Sequence, residues 1–205
     1  MKLYQHPISG HCHRVALYLS LTDTPYEPVL VDVAAGEQKS AAFLAKNAFG
    51  QVPVLEDDGV IIADSCAILV YLAERDERTD LYPRDPVVRA EIQRWFALAA
   101  GPLASGPAAA RLSNLFGTPG KESAVAAAHQ LFATVEDVLA TRAWLAGTPH
   151  PTLADLALYS YAHAAPEGDV DLAAYPRLRD LLRRIEALPR FTPFPENAVG
   201  LRASA

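Results

Sequence analysis

The chain has 205 residues, 51% of them hydrophobic, and a formal net charge of -6 at pH 7. This length is sufficient to bury the core of one large or two small domains, while the acidic balance and the absence of a Lys/Arg run argue against nucleic acid or an anionic membrane as a partner. The opening residues MKLYQHP lack the layout of a secretory signal, and the longest apolar stretch is too short to span a bilayer, so we expect a cytoplasmic protein.

The first 80 residues alternate between strand and helix signals. Residues 2–6 predict a strand, and the turn residues Pro7, Ser9 and Gly10 separate it from a helical pattern of apolar positions ending near residue 21. The later segments are a strand at 27–33, a short polar helix at 36–47, a hairpin at 52–63 around an Asp-Gly turn, and a helix from 64 to about 74. This order, βαβαββα, predicts an α/β domain over residues 1–78.

Strand signals nearly vanish after the prolines of LYPRDP. Helices are predicted from residue 86 through a long alanine-rich stretch, and again at 121–142, 152–163 and 175–188. These segments predict a second, all-α domain over residues 86–205. Within it, LAAGPLASGPAAARL indicates either a roomy or a tightly packed region, and the pattern does not distinguish the two.

The stretch HPISGHCHRV concentrates side chains that can do chemistry. A zinc site would need His6, His11, Cys12 and His13 to converge, but neighbouring positions at a helix start point in different directions, so we expect no metal. Cys12 near a helix start could have a lowered pKa and exchange with a disulfide, or could simply be a small buried residue. Ser9 stands at the strand-to-helix turn, where its hydroxyl and the first helical amides can converge on an anion.

Two further positions lie beside predicted turns. Pro53 opens a strand, either with a trans bond, as propensity favours, or with a cis bond in a tight turn. Asp64 and Ser65 occupy a helix start, where Ser65 could cap the helix while backbone amides bind a carboxylate. A plain cap with no ligand is the simpler alternative.

These stretches occur in the same order as in the glutathione S-transferase family, which the chain resembles over nearly its whole length. PISGHCHRV is similar to the family's active-site segment, NAFGQVPVL to its Asn-Pro-x-Gly-x-Val-Pro-x-Leu stretch, and ADSCAILVYLAE to its acidic-Ser helix start. Thr152 and Asp155 match the capping box of its helical domain. The chain departs from the family in having Ala48 in place of proline, and Tyr4 lies within the first strand, so the tyrosine-dependent classes are disfavoured.

The resemblance implies a thioredoxin-like domain followed by a helical domain, a cis bond at Pro53, and a homodimer. It implies that Ser9 activates the thiol of glutathione, with no metal, for addition to a small electrophile bound beside the helical domain, and that His11 can line the electrophile pocket. The residues expected to bind glutathione are Lys39, Gln51, Val52, Pro53, Asp64 and Ser65.

Such a reaction has a defined energetic requirement. A free thiol with a pKa near 8.5 is only a few per cent thiolate at neutral pH, and lowering its pKa by about two units needs about 2.7 kcal/mol of preference for the anion. One hydrogen bond from Ser9 and a helix N-terminus supply that order of magnitude. Two alternatives stay open: a glutathione-dependent disulfide reductase or peroxidase that uses Cys12, and a glutathione-binding protein without catalysis.

Overall fold

The four predicted strands form one mixed sheet in the computed structural model, which describes residues 1–203. The strands are β1 (Lys2–Gln5), β2 (Glu27–Leu30), β3 (Val54–Asp57) and β4 (Val60–Ala63). Their order is β2-β1-β3-β4, with β1 parallel to β2 and antiparallel to β3, and with β3 antiparallel to β4. Asp58 and Gly59 link β3 to β4 with positive φ angles of 46° and 83°, as a tight hairpin turn requires.

Three helices accompany the sheet, so the predicted order βαβαββα is confirmed. They are α1 (Gly10–Leu21), α2 (Ala41–Leu44) and α3 (Ser65–Arg75). The polar helix predicted at 36–47 is wrong in its extent, because a 3-10 turn at Glu37–Lys39 precedes a much shorter α2. Ser40 separates the two: its backbone is extended, and its side chain caps α2 by accepting from the Phe43 amide.

The rest of the described chain is helical, as predicted. The helices are α4 (Pro86–Ala100), α5 (Ala109–Phe116), α6 (Lys121–Leu139), α7 (Leu153–His163) and α8 (Pro176–Glu186). The single helix expected through the alanine-rich stretch is wrong, because α4 stops at Gly101 and a π-helical turn at Ala104–Ala108 follows. Pro102 and Pro107 lack the amide hydrogens that a continuous helix would use. None of the helices in residues 1–203 combines the length and hydropathy needed to cross a membrane.

The alanine-rich stretch is tightly packed. A Cβ added to Gly106 would lie 2.9 Å from the backbone nitrogen of Ala128 on α6. Real Cβ atoms do not approach that closely, so only glycine lets the π-helical turn pack directly on the α6 backbone. The small residues of this stretch therefore serve close helix packing.

One hydrophobic core joins the sheet to the helical part. It contains Leu3 of β1, Val15 of α1 and Leu156 of α7, all with no exposed surface. The predicted capping box on α7 is confirmed: Thr152 caps the helix, and the Asp155 carboxylate accepts from the Thr152 amide at 2.8 Å. The domain limits 1–78 and 86–205 stay predictions; α3 ends at Arg75 and α4 begins at Pro86.

Candidate functional site

A cleft of about 1170 Å³ lies between the sheet domain and the helices, where the C-terminal end of β1 meets α3, α5 and α7. It gathers nearly all of the site residues predicted from the sequence. Those that line it are Ser9, His11, Lys39, Gln51, Val52, Pro53, Asp64 and Ser65. Cys12 lines a different and smaller cleft of about 630 Å³.

Ser9 is the N-cap of α1. Its backbone is extended, with φ -84° and ψ 115°, and its Oγ accepts from the Cys12 amide at 3.3 Å. A hydroxyl has one donor and two acceptor sites, so this bond leaves the Ser9 proton available. Within residues 1–203 that hydroxyl donates no hydrogen bond, and its side chain is half-buried in the cleft. Ser9 can therefore donate to a ligand at the N-terminus of α1.

The Val52–Pro53 peptide bond is cis. The expectation drawn from the family resemblance is confirmed, and the trans bond favoured by propensity alone is wrong. Val52 precedes β3, and within the described residues its backbone amide and carbonyl make no hydrogen bond. Both groups are consequently available to pair with an extended peptide in the cleft.

The loop before Val52 is held by its own side chains. Asn47 donates from Nδ2 to the carbonyl of Gln51 at 2.8 Å, and Gly50 has a positive φ of 59°. The exposed Lys39 donates from Nζ to the carbonyl of Phe49 at 3.0 Å. Lys39 and Gln51 thus both lie at the rim of the cleft. The hydrogen bond to Phe49 holds the Lys39 ammonium beside this loop.

The prediction that Ser65 caps α3 is wrong, because Asp64 is the cap. Asp64 has a positive φ of 76°, and its Oδ1 accepts from the amides of Cys66 at 2.8 Å and Ala67 at 3.0 Å. Ser65 is the first helical residue, and its buried Oγ instead accepts from Arg14 at 2.8 Å. A carboxylate oxygen can accept hydrogen bonds from both amides, while the Ser65 hydroxyl accepts a hydrogen bond from the Arg14 guanidinium.

Arg14 is a part of the site that the sequence reasoning missed. This α1 residue is 1% exposed, and its guanidinium lies behind the cleft. Nη1 contacts Ser65 Oγ at 2.8 Å and His11 Nδ1 at 3.3 Å, while Nη2 donates to the carbonyl of Ala157 at 2.6 Å. The sequence did contain a signal for this role, because Arg14 directly precedes Val15, the first apolar residue of the predicted helical pattern. Arg14 therefore ties α1 to both α3 and α7.

His11 faces the cleft from the first turn of α1. Its ring meets the Tyr161 ring edge-on, with the centroids 5.1 Å apart. Burial, together with the positive charge of Arg14, lowers the pKa of His11 to about 4, although Asp64 acts in the opposite direction. The imidazole is therefore neutral at pH 7.

Cys12 faces away from this cleft. Its Sγ accepts from the His6 amide at 3.4 Å, and the side chain is 2% exposed. Burial raises the pKa of the Cys12 thiol to about 11, against smaller opposing effects of the hydrogen bonds from nearby residues. The thiolate is the reactive form, so this environment disfavours the disulfide-exchange chemistry considered for Cys12. Burial also raises the pKa of the thiol of Cys66.

His13 bonds within the core. Its Nε2 lies 3.0 Å from the carbonyl of Thr192, so that nitrogen donates and Nδ1 accepts from the Ser160 hydroxyl at 2.9 Å. Both nitrogens are thereby occupied. Across residues 1–203, no group of three or more His, Cys, Asp or Glu side chains is arranged to hold a metal ion.

The helical domain supplies cleft residues that the sequence did not reveal. They are Arg111, Leu112, Phe116 and Tyr161. Arg111 is 1% exposed, forms an ion pair with Glu167 at 2.6 Å, and donates to the carbonyl of Ile8 at 2.8 Å. Leu112 and Phe116 are exposed apolar side chains, so the side of the cleft that they form suits an apolar ligand.

Two family models match the chain: glutathione S-transferase, N-terminal domain, over residues 1–74, and glutathione S-transferase, C-terminal domain, over residues 111–189. The chain is 34% identical over 200 residues to the maleylacetoacetate isomerase of Rhizobium meliloti (strain 1021), covering 92% of each protein. A possible glutathione S-transferase from Rhodopseudomonas palustris has a similar structure, with a TM-score of 0.86, 35% identity, and coverage of 94% of this chain and 97% of that one. For a glutathione S-transferase from Pseudomonas fluorescens Pf-5 the TM-score is 0.88, the identity 32%, and the coverage 95% and 98%.

Proposed function

The chain belongs to the glutathione S-transferase family and is an enzyme of the glutathione transferase type, and we propose that Ser9 activates the glutathione thiol for addition to a small electrophile. The observation that carries this proposal is the unused Ser9 proton at the N-terminus of α1, inside a cleft that also contains Val52, Asp64 and Ser65. The thiol proton leaves to solvent when the thiolate forms, and the thiolate then forms a carbon–sulfur bond with the electrophile. In an enone or epoxide a carbon–carbon π bond or a carbon–oxygen bond breaks and the product takes up a proton from solvent, whereas a halogenated arene loses its halide.

Thiolate stabilisation needs no general base in this arrangement. The Ser9 hydroxyl donates to the sulfur, and the backbone amides of the first turn of α1 add the positive end of the helix dipole. A hydrogen bond to a charged group contributes about 1.5–3 kcal/mol. That contribution is the size needed to lower a thiol pKa by one to two units, at about 1.4 kcal/mol per unit.

The rest of glutathione has matching partners. We assign the backbone amide and carbonyl of Val52 to the cysteinyl residue, because peptide groups in an extended ligand pair with such groups as in a β ladder. The Asp64 carboxylate is assigned to the γ-glutamyl ammonium and Ser65 to the γ-glutamyl carboxylate. Lys39 and Gln51, at the rim, are assigned to the glycine carboxylate. Pro53 shapes the turn that presents Val52.

The electrophile is placed on the side formed by the helical domain. Leu112 and Phe116 are 40% and 61% exposed, and Tyr161, whose ring contacts His11 of α1, also lines the cleft. Exposed aromatic and aliphatic side chains beside a polar site favour a ligand with one apolar face. We therefore expect small, largely apolar electrophiles.

The Rhizobium meliloti relative favours a second candidate reaction, glutathione-dependent isomerisation. In that reaction the thiolate adds to a cis double bond conjugated with a carbonyl, the resulting single bond rotates, and elimination of the sulfur gives the trans isomer. Glutathione is regenerated and no atoms are gained. The same thiolate activation by Ser9 would serve both reactions.

Product analysis separates the candidates. The wild-type protein is incubated with glutathione and a panel of halogenated arenes, epoxides, enones and cis-configured unsaturated acids, and products are identified by mass spectrometry. Conjugation gives products that carry glutathione, either added whole to an enone or epoxide or in exchange for the halide of an arene, and isomerisation gives products of unchanged mass with no loss of glutathione. Retention on glutathione resin without turnover of any compound would contradict both reactions and favour a binding protein.

We also propose a homodimer. Phe49, Val60 and Ile61 are apolar and exposed, Phe49 at 79% of its surface, and such side chains suit an interface between subunits. Light scattering at micromolar concentration should give twice the chain mass. Phe49→Asp should shift the protein toward monomer, whereas Leu30→Asp, at an exposed position on β2, serves as a control. A monomeric wild type would contradict the proposal.

A further inference from the structure

Arg14 is a buried cation without a counter-ion. It is 1% exposed, and within residues 1–203 its guanidinium contacts no carboxylate. Its contacts are neutral acceptors: Ser65 Oγ, His11 Nδ1, Cys66 Sγ and the carbonyl of Ala157. A buried charge is costly unless other groups compensate it. Two of the residues that Arg14 contacts, Ser65 and His11, line the cleft. The field of Arg14 therefore favours an anion in the cleft, beyond these two side chains.

The contact with Arg14 determines where His11 carries its proton. Arginine has five N–H donors and no acceptor, so the His11 Nδ1 atom, 3.3 Å from Nη1, must be the acceptor. A neutral imidazole that accepts at Nδ1 holds its hydrogen on Nε2. The ring is neutral at pH 7 for the reasons given above: burial and Arg14 outweigh Asp64, the facing carboxylate.

The Nε2–H group of His11 is available to a ligand in the cleft. Within the described residues Nε2 has no hydrogen-bond partner, and it is not among the side-chain atoms that are both buried and unpartnered. It is therefore open, and the side chain lines the same cleft as Ser9. The edge-on contact with Tyr161 and the bond from Arg14 hold the ring in place.

We propose that His11 is a further catalytic residue, whose Nε2–H, held in that tautomer by Arg14, donates a hydrogen bond to the glutathione thiolate beside Ser9. This proposal rests on the proposed function. Arg14 is a positioning residue: it orients the imidazole and polarises it from behind. A neutral imidazole donor stabilises the sulfur anion without protonating it, because the Nε2 proton of a neutral ring is far less acidic than a thiol.

Three variants test the position of the donor. The side-chain amide nitrogen of His11→Gln lies near the place of Nε2, that of His11→Asn lies near Nδ1, and His11→Ala removes both. The ultraviolet absorbance of the thiolate is titrated with glutathione bound to each. His11→Asn and His11→Ala should raise the bound thiol pKa by about one unit and lower kcat about tenfold, with glutathione affinity within about twofold. His11→Gln should remain close to wild type.

Equal thiol pKa values in wild type and His11→Ala would overturn this proposal, as would equal effects of the Gln and Asn variants. A wild type that binds glutathione with an unperturbed thiol pKa would instead overturn the proposed function, and this inference with it. Ser9→Ala distinguishes the two donors, because its effect on the bound thiol pKa should persist in the His11→Ala background, where the second donor is absent.

The tautomer itself can be measured without turnover. The wild-type protein is labelled with ¹⁵N-histidine, and two-bond ¹H–¹⁵N correlations are recorded at pH 7, with the His11 signals assigned by their loss in His11→Gln. We expect a protonated Nε2 and an unprotonated Nδ1. A ring protonated on Nδ1, or on both nitrogens, would contradict the inference.

Discussion

The ring of Tyr161 lies against Gly10 so closely that a Cβ added at position 10 would be 2.8 Å from the ring carbons Cε1 and Cζ. Gly10 is the first residue of α1, and Tyr161 belongs to α7. The helical domain thus closes on the N-terminus of α1, directly beside the capping residue Ser9. Helix α1 and the Tyr161 ring can approach each other this closely only because Gly10 has no side chain.

Gly10→Ala should lower turnover by on the order of ten- to a hundredfold, because the methyl group must displace Tyr161 and α1 relative to each other. Helix propensity alone would favour the alanine. Tyr161→Leu removes the ring, so the double variant should lose less than the product of the two single effects. Steady-state kinetics of the four proteins gives the coupling; strictly multiplicative effects would contradict the assigned contact.

Ser9→Ala should lower turnover by on the order of ten- to a thousandfold, because it removes one donor to the thiolate. Glutathione affinity should stay nearly unchanged, since Val52, Asp64 and Ser65 remain. The measurement is ultraviolet titration of the bound thiol together with kcat and KM.

Cys12→Ala is the matched control for that experiment, one turn away on the same helix. It should leave conjugation nearly unchanged and at most cost packing stability, because the thiol faces the other cleft. A thiol pKa that rises in Cys12→Ala and not in Ser9→Ala would reverse the assignment.

Thr152→Ala should lower the free energy of unfolding by about 0.5–2 kcal/mol. Thr152 Oγ1 accepts from the Ala154 amide at 3.3 Å and donates to Asp155 at 3.1 Å, so the substitution removes the cap of α7. Denaturant unfolding gives the stability, and kcat per folded molecule should not change. Lost turnover with an intact unfolding curve would contradict a structural role.

Asp155 should make stability depend on pH. Burial raises its pKa to about 6, and hydrogen bonds from Leu145 and Thr152 only partly oppose this. The folded protein therefore binds more protons than the unfolded chain between about pH 4 and pH 6, so this contribution is full below the unfolded pKa and is lost as pH rises to about 6. The stability of wild type relative to Asp155→Asn should fall by on the order of 1–3 kcal/mol from pH 4 to pH 7. Urea unfolding of both proteins at several pH values measures this, and a constant difference would contradict it.

Local patterns were sufficient for the sheet domain. The Asp-Gly turn, the period-2 apolar runs and the Ser9 turn are local signals, and the structure contains each element where the pattern placed it, apart from the limits of β2 and α2. The break between α4 and α5 was missed because alanine's high helix propensity hid the effect of Gly101 and Pro102.

The cleft residues could be predicted from the sequence only on the side formed by the sheet domain. Ser9, Val52 and Asp64 lie in recognisable local motifs, whereas Arg111 and Tyr161 reach the cleft through contacts across more than 100 residues of sequence. The cap of α3 was also predicted wrongly because a contact between distant parts of the sequence decides it. Ser65 looks like a capping residue in the sequence, and only the approach of Arg14 from α1 explains why its hydroxyl is used elsewhere.

The protein's own thiols are sheltered from the compounds that it is proposed to process. Cys12 and Cys66 are unpaired and buried, and burial raises the pKa of both thiols. Because alkylating agents attack thiolates, a reactive compound entering the cleft would find one nucleophilic sulfur, that of glutathione. The enzyme should therefore survive repeated exposure to alkylating compounds without being inactivated by them.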